Sequence, residues 1–412
     1  METRQILNVL DNSPPEEAPS ITKIRQDALD IISSHSPSED DSTIPTALLD
    51  LLTQVIKPLF TRTQHPALTA TGRKNLLPQQ PSIGARFTTS LIDDNLKPWK
   101  TPFTFSLLDY VFQSYAALPT NLQQTTVESH FHLLVPPILN MIDDSDPNYK
   151  ANGCQLLHQL CTVLISTKSN MLQKTGLADV FMDALRANFM LLPTLTPEAE
   201  SLLVLTWLYP AFLSTIDARY ITSLNHPTHT FPDRASKDYI NRQNHLKLVL
   251  RHGVLASLNH LSAGQSFTNT ISVQLTVFLV RQLPPIINSI GIESVRYLKE
   301  ILPMMRAGLM DPFVLVASEL VLEILSVLET IMTACGPRIA QKWWPEILRG
   351  CVTCWLNCVD EGWPKREALR DVEAGLKKVV RCLSGIVDDK EWTDTATQLM
   401  DQEEDLKPLF IN

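Results

Sequence analysis

Residues 133 to 164, LLVPPILNMIDDSDPNYKANGCQLLHQLCTVL, read as one helical hairpin, and no other stretch restricts the fold so strongly. Leu134, Ile138, Met141 and Ile142 recur at helical spacing until Asp143 to Asp146 interrupt the pattern. Asp146 is placed to accept hydrogen bonds from the exposed amides of a following helix. Pro147 sits where a missing amide hydrogen costs nothing. In the second helix Gly153, Leu157, Leu160 and Leu164 share a face, and Gly153 lets a neighbouring backbone come close. Such a pair cannot bury that face alone and must stack on others like it.

The rest of the chain offers those others. At 412 residues it exceeds an ordinary single core of about 250–300 residues, which points to several domains or to a stacked array. Only 13 glycines occur against 28 prolines, a balance that disfavours glycine-rich nucleotide-binding turns and fits many helix starts. Tyr297 to Met332 repeats the punctuation of the first hairpin, with Asp311 and Pro312 in the places of Asp146 and Pro147. The offset, 311 − 146 = 165, suggests four periods of about 40–47 residues. Gln341 to Ile386 gives a third unit that turns between Asp360 and Pro364.

The fold expected is therefore all-α, a HEAT-like solenoid of stacked antiparallel helix pairs. Residues 1–43 read as a loose leader with short helices and a flexible acidic loop. Residues 44–412 read as the helical-repeat domain, with loop insertions near 61–81 and 223–236. Val314 to Leu328 is apolar on most sides. Glu319 and Glu323 interrupt it, and no apolar run there reaches the ~18–20 residues that cross a bilayer.

A formal charge of −9 provides no positive field for nucleic acid phosphates. Seven cysteines in apolar stretches fit reduced core residues rather than a disulfide framework, and the amino terminus has no long apolar segment. Cytoplasm, nucleus or both is the expected location.

Chemistry-bearing clusters are weak. Cys351, Cys354 and Cys358 lie on one helix, which cannot wrap three thiolates around an ion, so packing is the expected role. His226, His229 and Asp233 fall in a polar loop without a partner pair. His130 and His132 point to different sides of a helix. The pairs Asp93 with Asp94, Asp143 with Asp144, and Asp388 with Asp389 sit at helix ends and read as caps. No phosphate loop, nucleophile elbow or zinc-protease helix is present, so neither catalysis, nor a cofactor, nor a metal is expected.

The tryptophans carry more information. Trp343, Trp344, Trp355 and Trp363 fall within about one repeat, a density that serves a thick core or a binding hot spot. Adjacent Trp343 and Trp344 point about 100° apart on a helix, so one of them is free to face a partner.

Three segments carry a family resemblance: residues 136–157 (PPILNMIDDSDPNYKANGCQLL), 297–312 (YLKEILPMMRAGLMDP) and 336–355 (GPRIAQKWWPEILRGCVTCW). They resemble the second Tel-interacting protein family of the Triple-T (TTT) complex. The Asp-Asp-x-Asp turn followed by Lys-x-x-Gly is the most distinctive part. Gly336 departs from the tryptophan expected before Pro337. The resemblance implies a non-catalytic, all-helical adaptor that works with two larger helical-repeat proteins, the first Tel-interacting protein and the Tel-two protein. It further implies action with Hsp90, through the R2TP adaptor, in maturing phosphatidylinositol 3-kinase-related kinases. Arg338, Trp343, Trp344 and Arg349 are the expected partner-binding residues, Arg338 because a cation in a first helical turn opposes the helix dipole. The competing expectation is a helical scaffold carrying peptide cargo unrelated to TTT. Repeated tryptophan and asparagine ladders, which such carriers use, do not occur.

Overall fold

The structure, a computed structural model, describes residues 3–11, 19–34, 43–61, 63, 65–69, 72–75, 97–221, 234–268, 272–362 and 369–411. Among these, regular structure is helical apart from one isolated antiparallel bridge, Leu68 with Lys74. The chain forms two compact units, Met1–Leu191 with Ala199–Arg242, and Leu192–Glu198 with Gln243–Asn412.

The first unit begins with α1 (Thr3–Asp11) and α2 (Pro19–Ser34). Next comes α3, which runs from Ile44–Asp50 through a π-helical Leu51–Ile56 into Lys57–Phe60. It continues with α4 (Pro102–Ala117), α5 (Thr120–Ile142), α6 (Pro147–Ser166), α7 (Leu177–Ala187) and α8 (Glu198–Arg219). The leader helices are packed rather than loose. Ile6 and Leu10 are fully buried and α1 lies against α4, because two apolar side chains one turn apart find a covering face there. Part of the connection after α3 is covered as well. Leu68 and His65 are buried, and Gly72 sits where a Cβ would be 2.5 Å from the His132 carbonyl oxygen.

In α5 the prolines Pro136 and Pro137 do not end the helix, which runs unbroken from Thr120 to Ile142. The hairpin turn that follows is built as its residues suggest. Asp146 accepts from the Asn148 amide at 2.8 Å, with Pro147 at the helix start.

The division between the units falls inside α9, which runs from Lys237–Leu248 through a π-helical Val249–Leu255 into Ala256–Thr268. The second unit continues with α10 (Val273–Arg281), α11 (Leu283–Ile290), α12 (Leu298–Met310) and α13 (Ser318–Arg338). It closes with α14 (Trp344–Asp360), α15 (Arg370–Ser384), α16 (Asp389–Gln402) and α17 (Lys407–Phe410). The second Asp-Pro turn keeps its cap, Asp311 accepting from the Phe313 amide at 2.9 Å, but leads into a 3-10 segment, Pro312–Ala317, before α13.

Stacking shows in which residues meet. In the first unit Ser169 donates to Glu128 at 2.6 Å, 41 positions away, and Arg219 pairs with Asp179, 40 away. In the second, Lys247 pairs with Glu293 (46 positions), Arg281 with Glu323 (42) and Arg306 with Glu346 (40). Side chains about one repeat apart touch because each pair packs on the next, so each unit is a solenoid-like stack.

Two stretches, Glu198–Arg219 and Val273–Met310, are long and apolar enough to cross a membrane, although Val314–Leu328 is not among them. Their apolar side chains are covered by neighbouring helices instead. Leu205, Leu208 and Ile216 in the first, and Leu275, Ile286 and Ile301 in the second, have no exposed surface. Glu319 and Glu323 face Arg281, which bonds to both at 2.7–2.8 Å.

Candidate partner-binding site

The Asp-Asp-x-Asp turn and the Lys-x-x-Gly that follows it close the α5–α6 hairpin. Lys150 donates to the Ile142 carbonyl at 3.1 Å, supplying a cation to the end of α5, and Gly153 packs where a Cβ would be 2.6 Å from the Ile142 nitrogen. Asp143 bonds His65 Nε2 at 2.7 Å. Asp144 is fully buried and bonded to Lys97 at 2.6 Å, Lys100 at 3.0 Å and the Asp146 amide at 2.8 Å. Burial opposes ionisation of Asp144, but the Lys97, Asp146 and Lys100 hydrogen bonds outweigh it and hold the carboxyl below its ordinary range. The capping reading of this acidic pair therefore covers only part of its role. Lys97 and Lys100, 44 or more positions away, gave no local signal.

The expected partner-binding residues surround a kink in the second unit. Cys335 leaves helical geometry (φ −128°, ψ 20°) two residues before Pro337, whose ring cannot follow an undistorted helical turn. Cys335 Sγ lies 3.1 Å from Ser294 Oγ. Arg338 thus stands in the first turn after a break, and a π-turn, Ile339–Trp343, leads into α14. Arg338, Lys342 and Arg349 are all exposed, at spacings of four and seven that place them along one side. Among the described residues none of the three has a carboxylate within ion-pair distance. Arg219, Arg242, Arg281, Arg306 and Lys378 all do. Trp343 is half-buried, with the Lys342 ammonium 5.1 Å from its ring centre.

Trp344 is different. It is 6% exposed and packs on Trp392 with ring centres 6.3 Å apart, so it belongs to the core and cannot reach a partner. Lys342 takes its place on the surface, a residue that composition alone did not single out. Trp355 is also core and donates its indole N–H to the Asp405 carbonyl at 2.9 Å. Trp363 lies outside the described residues, as do Asp93, Asp94, His226, His229 and Asp233.

The remaining chemical groups serve packing. Cys351, Cys354 and Cys358 are buried in α14, and burial pushes the Cys351 thiol up to about 12. His130 is buried and shares a 2.8 Å hydrogen bond with Tyr115, while His132 is exposed. Asp388 caps α16, accepting from the Lys390 and Glu391 amides. Among the described residues no group of three or more His, Cys, Asp or Glu is placed to hold a metal ion.

The model of the Tti2 family matches residues 6–316. The chain belongs to the Tti2 family. No curated protein and no solved structure matches it. Membership of the Tti2 family supports a role as a subunit of the TTT complex and as a scaffold. The Asp143–Gly153 hairpin lies inside the span matched by the Tti2 model. The Arg338–Arg349 segment lies beyond it.

Proposed function

We propose that this chain is a non-catalytic adaptor subunit of the TTT complex that supports Hsp90-dependent maturation and stability of phosphatidylinositol 3-kinase-related kinases. The observation that carries the reading is the Tti2 family match across residues 6–316, on a chain built of stacked helix pairs. Its direct partners are the first Tel-interacting protein and the Tel-two protein, with Hsp90, R2TP and the kinases reached through them, in cytoplasm and nucleus. No direct nucleic acid or membrane contact is part of the proposal.

The partner surface we assign is Arg338, Lys342, Trp343 and Arg349. Cations with no carboxylate partner among the described residues, in a chain of net charge −9, suit an acidic stretch of a partner, and the half-buried indole supplies an apolar anchor. The test is co-purification of the tagged chain with mass spectrometry, comparing wild type with an Arg338→Glu, Arg349→Glu double variant. Recovery of the two larger subunits with the wild type, and its loss in the variant, supports both proposals. Recovery of neither subunit with the wild type overturns the functional reading. Equal recovery with the variant overturns the surface alone.

A further inference from the structure

In the second unit α12 packs along α14 in one layer, α10, α11 and α15 pack on α13 in another, and α9 packs on α10 and α11. Where α12 meets α14 the layer is closed, since a Cβ on Gly350 would already be 3.5 Å from the Arg306 Cα. Among the described residues α9 and α12 do not pack along each other, and a groove of about 580 Å3 lies between them. Leu258 of α9, Val280 of α10, Met304 of α12 and Ile324 of α13 are among the residues that line it.

The groove has the length and chemistry of a helix seat. Glu300 of α12 and Asp311, the residue that follows its last turn, both line it and are eleven residues apart, about 16 Å or three helical turns. Neither carboxylate has a cation within ion-pair distance among the described residues. Next to Asp311 the 3-10 segment exposes Phe313 (78%) and Val316 (91%), two large apolar side chains. Methionine in the wall suits an adaptable apolar contact.

We propose that this groove seats one face of an amphipathic helix from a protein partner, with apolar residues at helical spacing flanked by Lys or Arg. Such a helix fills the space between α9 and α12, its apolar stripe meeting the part-exposed Pro303, Met304 and Leu320 and its cations meeting Glu300 and Asp311. The site is separate from the Arg338–Arg349 surface and does not depend on which complex the chain joins.

The test uses the full chain and a labelled three-turn peptide with leucines at helical spacing and lysine at both ends, read by fluorescence anisotropy at physiological ionic strength. A second peptide carries glutamate at both ends. The wild type is expected to bind the lysine-flanked peptide at least about tenfold more tightly, and Glu300→Lys to narrow that preference by several-fold. Ala307→Trp, which fills the groove from its exposed wall, is expected to weaken binding by about tenfold or more while capture of the larger TTT subunits is unchanged. Circular dichroism checks that each variant folds. If Ala307→Trp does not fold, the surface charge swap at Glu300 still decides. Equal binding of both peptides, a preference untouched by Glu300→Lys, or wild-type affinity in a folded Ala307→Trp variant overturns the proposal. So does self-association of the wild type that Ala307→Trp abolishes, because the occupant is then a second copy.

Discussion

The Lys150 ammonium donates to the Ile142 carbonyl at 3.1 Å, and so the second helix of the central hairpin satisfies the end of the first. Three residues on, Gly153 lets the two backbones touch. Gly153→Ala is expected to cost about 2–3 kcal/mol, because the new Cβ meets backbone atoms of Met141 and Ile142 that cannot move aside. Lys150→Met should cost about 1–2 kcal/mol through loss of a charge-assisted bond. Urea unfolding followed by circular dichroism measures both, and a Gly153→Ala midpoint equal to wild type would contradict the close approach.

Asp144 ties the hairpin turn to the segment before α4 through Lys97 and Lys100. Replacing it with asparagine leaves two largely buried ammonium groups without their counter-charge, at a cost of roughly 3 kcal/mol. Its folded carboxyl is held below the ordinary range, so the contribution is complete above the unfolded value of about 3.9 and fades as pH falls through the lower, folded one. Unfolding midpoints of wild type and Asp144→Asn should therefore converge in strong acid.

His130 predicts a second acid sensitivity in a higher window. Burial, with a smaller contribution from His132, lowers its pKa from 6.5 to about 4. The unfolded chain thus binds a proton that the folded chain refuses between those values. Stability contributed by the neutral imidazole is complete above about 6.5 and declines toward 4, by about 3 kcal/mol at most. His130→Gln should flatten the pH dependence of the urea midpoint between pH 6.5 and 4. A slope unchanged by the substitution would assign the effect to other groups.

Trp343 and Trp344 should separate stability from recognition. Trp344→Ala opens a cavity against Trp392 and is expected to cost about 3–5 kcal/mol. Trp343→Ala should change stability by less than about 1 kcal/mol while weakening capture of the larger subunits. Thermal unfolding beside co-purification distinguishes the two, and the reverse ordering would contradict the assignment of core and surface.

Thiol accessibility offers a further check. A thiol-reactive dye should label Cys382, which is exposed, in the native chain. Cys154, Cys161 and Cys351, whose thiols burial pushes up to about 12, should react only after unfolding.

The hairpin turn was legible because its signals are local. An aspartate cap, a proline beside it and a glycine on the inner face act within a few residues, and Asp146, Pro147 and Gly153 behave as their sequence context dictates. The same locality misleads where packing intervenes. Ile6 and Leu10 look like part of a loose leader yet are buried. The family match was foreshadowed by that turn together with Lys150 and Gly153, whose geometry now accounts for their spacing.

By itself, then, the sequence determined the helical class, the stacked pairs and the capped turns, since apolar period and end chemistry are properties of neighbouring residues. Tertiary structure decided which of two adjacent tryptophans faces water, which distant lysines neutralise Asp144 and where a groove forms between α9 and α12. Those outcomes depend on which face each helix turns toward partners 40 or more positions away, and side-chain spacing along a single helix carries no record of that rotation.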